Sequence, residues 1–153
     1  AAFMADVYGR LTGKAGVCLA TLGPGVTNLM TGLADANMDR APVVAIIGQG
    51  STERLHKESH QIMDSISMVA PISKWAQTIL SAKNVTEVVR KAFKVAETEK
   101  PGVTVIELPE DVAKEEINEN PIKPTLIRRP AADYRAVDEA IELIIASHSL
   151  YIH

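Results

Sequence analysis

Two short apolar runs, Gly16-Val17-Cys18-Leu19-Ala20-Thr21 and Val43-Val44-Ala45-Ile46-Ile47, bracket a segment of helical period. Strands that are apolar throughout belong in a sheet covered on both faces, which is the usual setting of parallel strands. Parallel neighbours need a crossover, and the intervening segment supplies one. Leu22-Gly23-Pro24-Gly25 is a tight loop, and Val26, Leu29, Met30, Leu33 and Asn37 then mark one helix face. Strand, helix and strand joined by short loops form a right-handed βαβ unit. A third run, Val103-Thr104-Val105-Ile106-Glu107-Leu108, follows the Pro101-Gly102 turn. The expected fold is therefore α/β, a mostly parallel sheet with helices on both faces.

The remaining segments fit around that unit. Ala1 to Leu11 has helical spacing, with Asp6 and Arg10 four apart as a surface ion pair and Gly13 as its stop. Residues 48–58 read as a polar loop, residues 60–69 as a short helix closed by Pro71, and residues 74–79 as a strand. Val85, Val88, Val89, Ala92, Phe93 and Ala96 make the clearest helix, with Asn84 and Glu87 placed as an N-cap and its partner. Residues 110–130 hold Pro121, Pro124 and Pro130 and read as an extended linker. A further amphipathic helix starts at Asp133 and runs toward His153 with Val137, Ala140, Ile141, Ile144 and Ile145 on its apolar face. The chain opens on Ala1, already in helical spacing, and is expected to be a piece of a longer one. A length of 153 residues allows a core without disulfides. The lone Cys18 excludes a multi-cysteine zinc site. The net charge of −3 and the lack of a basic tract argue against nucleic acid, and no apolar run is long enough for a membrane span. A cytoplasmic protein without a signal peptide is expected.

The loop at residues 21–28 is the leading site, because ligands of open α/β sheets bind at the carboxyl ends of strands. Two familiar phosphate loops do not fit it. A P-loop needs Gly-Lys-Ser/Thr where Val26-Thr27-Asn28 stands, and a dinucleotide fingerprint needs a third glycine at Asn28. Pro24 also removes an N–H in mid-loop, so the loop suits a flat ring better than a phosphate. A plain strand-to-helix turn is the competing reading. His56 and His60, four apart, could share a helix face as metal ligands. Lys57 stands where a zinc-protease motif has glutamate, and no third ligand is evident, so no metal site is expected in this chain. Cys18 and Trp75 read as packing residues, and the charges from Lys114 to Glu119 as a solvated face.

The ordered series Ala2-Phe3-Met4-Ala5-Asp6-Val7-Tyr8-Gly9-Arg10-Leu11-Thr12-Gly13-Lys14, then residues 16–28, then Gly32-Leu33-Ala34-Asp35-Ala36, closely resembles the thiamine-diphosphate enzymes of the acetolactate synthase (acetohydroxyacid synthase) type. The resemblance continues through residues 42–49 and 101–112. It implies an incomplete pyrimidine-binding domain over residues 1–112, a linker over 113–132 and the start of a central domain over 133–153. It also implies that Thr21, Pro24, Gly25 and Asn28 line the pocket of thiamine diphosphate. Gln61 matches a glutamine that reaches the active site. His60 before it is the form of the catabolic, flavin-independent branch, while the biosynthetic branch more often has phenylalanine; dependence on FAD stays open.

The family's activating glutamate would lie two or three residues ahead of Ala1. The magnesium and diphosphate site would lie on a C-terminal domain outside this sequence, and the first strand of the sheet is expected to be missing too. The full enzyme would decarboxylate pyruvate and condense the product with a second 2-oxo acid. Alternatives are another thiamine-diphosphate-dependent 2-oxo-acid decarboxylase or carboligase, or an inactive piece acting only as a structural unit. The resemblance further implies a homodimer or homotetramer, with the helix that carries Leu29, Met30 and Leu33 at a subunit interface.

Overall fold

The structure, a computed structural model, describes residues 1–127 and 130–149. Its centre is a four-stranded sheet made of β1 (Gly16–Ala20), β2 (Val43–Gln49), β3 (Trp75–Thr78) and β4 (Val103–Pro109). The order is β1-β2-β4-β3 and every pairing is parallel, so the last strand in sequence lies between β2 and β3. Ala45 stands beside Cys18 on one side and Val105 on the other, and this register aligns the carboxyl ends of the strands.

The alternation of side chains across the strands feeds two separate cores. Cys18, Val43, Ala45, Ile47, Val103 and Val105 face α1 (Ala2–Thr12) and α2 (Pro24–Met38). Val44 and Ile106 face α4 (Val85–Glu97). Helices thus cover both faces, as expected, but not equally. The expectation that β1 is buried on both faces is corrected: Val17 is 52% and Leu19 70% exposed. Their face is the α4 face, and α4 lies over β4, β2 and β3 without reaching across β1.

Local sequence explains most boundaries. α1 stops at Gly13 in the left-handed conformation, a common helix ending. The expected surface pair between Asp6 and Arg10 is corrected to a larger network. Asp6 is buried, Arg10 binds it through Nε at 2.8 Å and Nη2 at 3.1 Å, and the same guanidinium reaches Asp35 at 3.0 Å and also Asp39. The arginine pins α1 to α2, and its bonds to Asp6 and then Asp39 raise its pKa above the ordinary value.

The short helix expected over residues 60–69 begins only at Ser65, as α3 (Ser65–Val69), where the Asp64 carboxylate accepts from the Ser67 N–H at 3.0 Å. The Asn84 cap also does not form. Ala82–Asn84 is a 3₁₀ turn that hands the chain to α4 with Asn84 already in helical conformation, so its side chain caps nothing. Leu29 and Leu33 of α2 are buried against the sheet and face the internal core.

Beyond β4, residues 115–127 take no regular structure and run along α4, with Ile117 packed on its core and Thr125 near Arg90. α5 (Tyr134–Ala146) forms from an Asp133 cap, as the spacing requires, and has no buried residue. Residues 128–129 of the expected linker and the expected run to His153 beyond residue 149 lie outside the described residues. Among the described residues no helix is long and apolar enough to cross a membrane.

Candidate functional site

The candidate site lies at the carboxyl end of the sheet, where the loops after β1 and β2 meet. The first is compact. Gly23 takes φ 59° and ψ −114°, a conformation open in practice only to glycine, and Pro24 opens α2 at once. Both choices are local requirements of turning a strand directly into a helix. The N–H groups of Gly25, Val26 and Thr27 all donate back to the loop, to Leu22 and Gly23 carbonyls. They are not presented to an anion, so this helix start does not form a phosphate cradle.

The side chains of Thr21, Pro24 and Asn28 are exposed. Pro24 and Asn28 are four residues apart on α2 and therefore share a face. Gly25 lies close behind: a Cβ there would sit 2.9 Å from Thr21 Cγ2. Thr21, Pro24, Gly25 and Asn28 thus belong to one continuous surface. Among the described residues the Asn28 amide has no hydrogen-bond partner, and neither does that of Gln61.

The loop after β2 brings Gln61 to this surface. Gln61 has φ 59°, the left-handed region that costs a side-chain-bearing residue of order 1 kcal/mol or more. Its backbone is held against Gly23: a Cβ on Gly23 would lie 2.7 Å from the Gln61 carbonyl oxygen and 2.8 Å from its Cβ. Gln61 and the glycine loop are therefore in direct contact, whereas Gln61 and Asn28 make no hydrogen bond to each other. A cleft of about 370 Å³ opens alongside, lined by Leu22, Gly48, Gly50, His60, Ile62 and Leu108. Residues 56–60 are not helical, so the four-residue spacing of His56 and His60 does not align them on a helix. Among the described residues no group of three or more His, Cys, Asp or Glu side chains could hold a metal ion.

Sequence reasoning missed the polar cluster beneath this loop. Gln49 and Thr78 end β2 and β3, and Glu107 lies two residues before the end of β4 between them. Gln49 Nε2 donates to Glu107 Oε1 at 3.0 Å, and Thr78 Oγ1 donates to Glu107 Oε2 at 2.7 Å. The available signal was a glutamate inside a central strand that is otherwise apolar except for Thr104. A second tie joins the loops after β2 and β4: Thr52 donates through N–H at 3.0 Å and through Oγ1 at 2.5 Å to the Asp111 carboxylate. These bonds hold the Asp111 pKa below the usual carboxylate value.

The surface suits an aromatic heterocycle. It offers a stiff apolar edge at Pro24, a methyl at Thr21 and two amides without a partner among the described residues, and the Gly25, Val26 and Thr27 N–H groups are turned back into the loop. Comparison with known proteins gives the family. Residues 1–68 match the family "Thiamine pyrophosphate enzyme, N-terminal TPP binding domain". The chain is 39% identical over 150 residues to acetolactate synthase from Arthrospira platensis, covering 94% of this chain and 26% of that protein. It is 46% identical over 112 residues to the catabolic acetolactate synthase of Raoultella terrigena, covering 73% of this chain and 20% of that protein. Glyoxylate carboligase from Escherichia coli O157:H7 is 38% identical over 148 residues, covering 95% and 25%. The chain spans about a quarter of the length of the curated relatives it matches. Residues 1–68 thus belong to the N-terminal TPP-binding domain of the thiamine pyrophosphate enzymes, and the chain as a whole is acetolactate synthase-like.

Proposed function

We propose that this chain forms one wall of the thiamine-diphosphate site of a carboligase that decarboxylates pyruvate and joins the product to a second 2-oxo acid. The observation that carries the reading is the seating of Gln61. A glutamine in left-handed conformation is held on Gly23, beside a surface whose Asn28 amide has no partner among the described residues. Backbone strain of this kind concentrates at functional positions. When bound, thiamine diphosphate supplies the electron sink for the carbanion chemistry.

The chain's residues bind and orient. Thr21 and Pro24 would bear on the pyrimidine ring, Gly25 would let it approach the helix start, and the Asn28 amide would supply a hydrogen bond to it. Gln61 acts at the reacting end. None of these side chains titrates near neutral pH, so the carboxylate that activates the ring is contributed from outside this set. In the same reading the magnesium-bound diphosphate is held by residues beyond this chain, and the enzyme works as a homo-oligomer. The isolated 153-residue chain is then inactive. The similarity to glyoxylate carboligase supports a second reading, in which glyoxylate replaces pyruvate as donor.

The test uses the full-length protein. Asn28→Ala weakens cofactor binding by about 1–3 kcal/mol, the cost of an unpaired buried polar partner. Gln61→Ala lowers kcat more than it lowers cofactor affinity. Steady-state kinetics of both variants at wild-type values refute the assignments. Product analysis with pyruvate or glyoxylate as the sole donor separates the two readings.

A further inference from the structure

Three consecutive residues of the loop after β2 are each anchored to the carboxyl end of the sheet. Gln61 rests on Gly23, as described. The Ile62 side chain rests on Gly50, where a Cβ would lie 2.6 Å from Ile62 Cδ1. The Met63 carbonyl accepts a hydrogen bond from Gln49 Nε2 at 2.9 Å. The first two contacts are steric and only limit approach. The third is directional and sets the height of the segment over the sheet.

Gln49 has no freedom in making that bond. Its two amide N–H groups go to the Met63 carbonyl and to Glu107 Oε1, and its own Oε1 accepts from the Gly50 N–H at 2.9 Å. Turning the amide over would set its oxygen against two other acceptors and its NH2 against a donor. Glu107 enforces this orientation, and Thr78 fixes Glu107 in turn. Glu107 is 4% and Gln49 5% exposed. Glu107 has no ion pair among the described residues. A buried carboxylate without a cation is an expensive way to fill a central strand that apolar residues would fill at lower cost.

We propose that Glu107 is a positioning residue. Through Gln49 it holds the Met63 carbonyl, and so keeps Gln61 strained and presented beside Gly23. The relay runs across the sheet from Thr78 on β3 to Glu107 on β4, to Gln49 on β2, and out into the loop. Its consequence for turnover rests on the proposed role of Gln61; the anchoring itself does not.

Two measurements separate those parts. Amide hydrogen exchange on this chain reads the anchoring. Glu107→Leu speeds exchange of the two amides of residues 56–64 that donate to a carbonyl, Lys57 to Arg54 at 3.0 Å and above all Ile62 to Ser59 at 3.2 Å, by about tenfold or more, because local opening there no longer breaks the Gln49 bond, while α2 and α4 keep their protection. Glu107→Gln retains a carbonyl oxygen for Gln49 and restores protection. In the full-length enzyme Glu107→Leu lowers kcat on the order of 10²-fold, the scale of a misplacement of about 1 Å, with a smaller change in KM, and Glu107→Gln recovers most of it. If Glu107→Leu does not fold, Gln49→Met, which keeps the length and removes both donors, takes its place with the same expectations. Unchanged exchange over residues 56–64 in a folded variant overturns the proposal, as does a Glu107→Gln variant no better than Glu107→Leu. Wild-type turnover in Gln61→Ala instead removes the reading of Gln61, and the exchange result still decides the anchoring.

Discussion

The two loops at the carboxyl end of the sheet reach their fixed shapes in opposite ways. The loop after β1 occupies three residues, Thr21, Leu22 and Gly23, and its own backbone determines it: a glycine at φ 59°, a proline at the first helical position, and N–H groups satisfied within the turn. The loop after β2 runs from Gly50 to Asp64 and has little regular structure. It has short turns of its own, and it is tied to the end of the sheet by what it touches, namely Gly23, Gln49 and Asp111. The first kind of loop tolerates loss of its neighbours, and the second does not. The pairing places a conformationally demanding residue, Gln61, on a turn held by its own hydrogen bonds.

The sharpest way to break this comparison is Gly23→Ala. The added methyl meets backbone at Gln61 and forces a side chain into a glycine-only conformation, two penalties that together amount to about 3 kcal/mol or more. The expected result is a large fall in the urea midpoint, and a loss of unfolding free energy under about 1 kcal/mol would mean that the first loop is not rigid. Gly50→Ala is the milder counterpart. Its methyl meets only the end of the Ile62 side chain, which has other rotamers, so the expected loss is about 1 kcal/mol, with faster exchange at residues 61–63. A loss as large as that of Gly23→Ala would show the second loop to be equally stiff.

The smallest effect concerns the Thr52–Asp111 tie. The folded-state pKa of Asp111 lies below its unfolded value, so its stabilising contribution is fully present above about pH 3.9. It is lost as pH falls through the lower folded value. The stability difference between wild type and Asp111→Ala should therefore be constant from neutral pH to that point and shrink below it. A difference that grows with acid would contradict the assignment.

Much of the fold was legible because it is written in local pattern. Apolar runs marked β1, β2 and β4, period marked α2, α4 and α5, and Gly13 marked the end of α1. The strand order was not legible, since an apolar run does not state its neighbours. Asp6 escaped recognition as a buried group because an i,i+4 pair looks the same whether or not Asp35 and Asp39 lie opposite. Asn84 and Asp64 show the limit of cap signals. Both are good cap residues, and the preceding backbone decides which one caps. At the site, residues 21–28 were readable from turn chemistry, and Gln61 only through resemblance. The left-handed backbone of Gln61 and the Glu107–Gln49 relay arise from residues far apart in sequence, so no local signal carries them.

The position of β4 between β2 and β3 has a consequence for biosynthesis. A chain that emerges amino-terminus first can complete the β1–α2–β2 unit early, because its contacts are local. β2 must then wait with an unpaired inner edge, and β3 has no partner at all, until Val103–Pro109 has left the ribosome and entered the gap between them. During that interval the nascent chain displays open strand edges of the kind that recruit other strands. The residue that locks the loop beside Gly23, Glu107, arrives with this last strand, so the site is assembled only when the sheet itself closes.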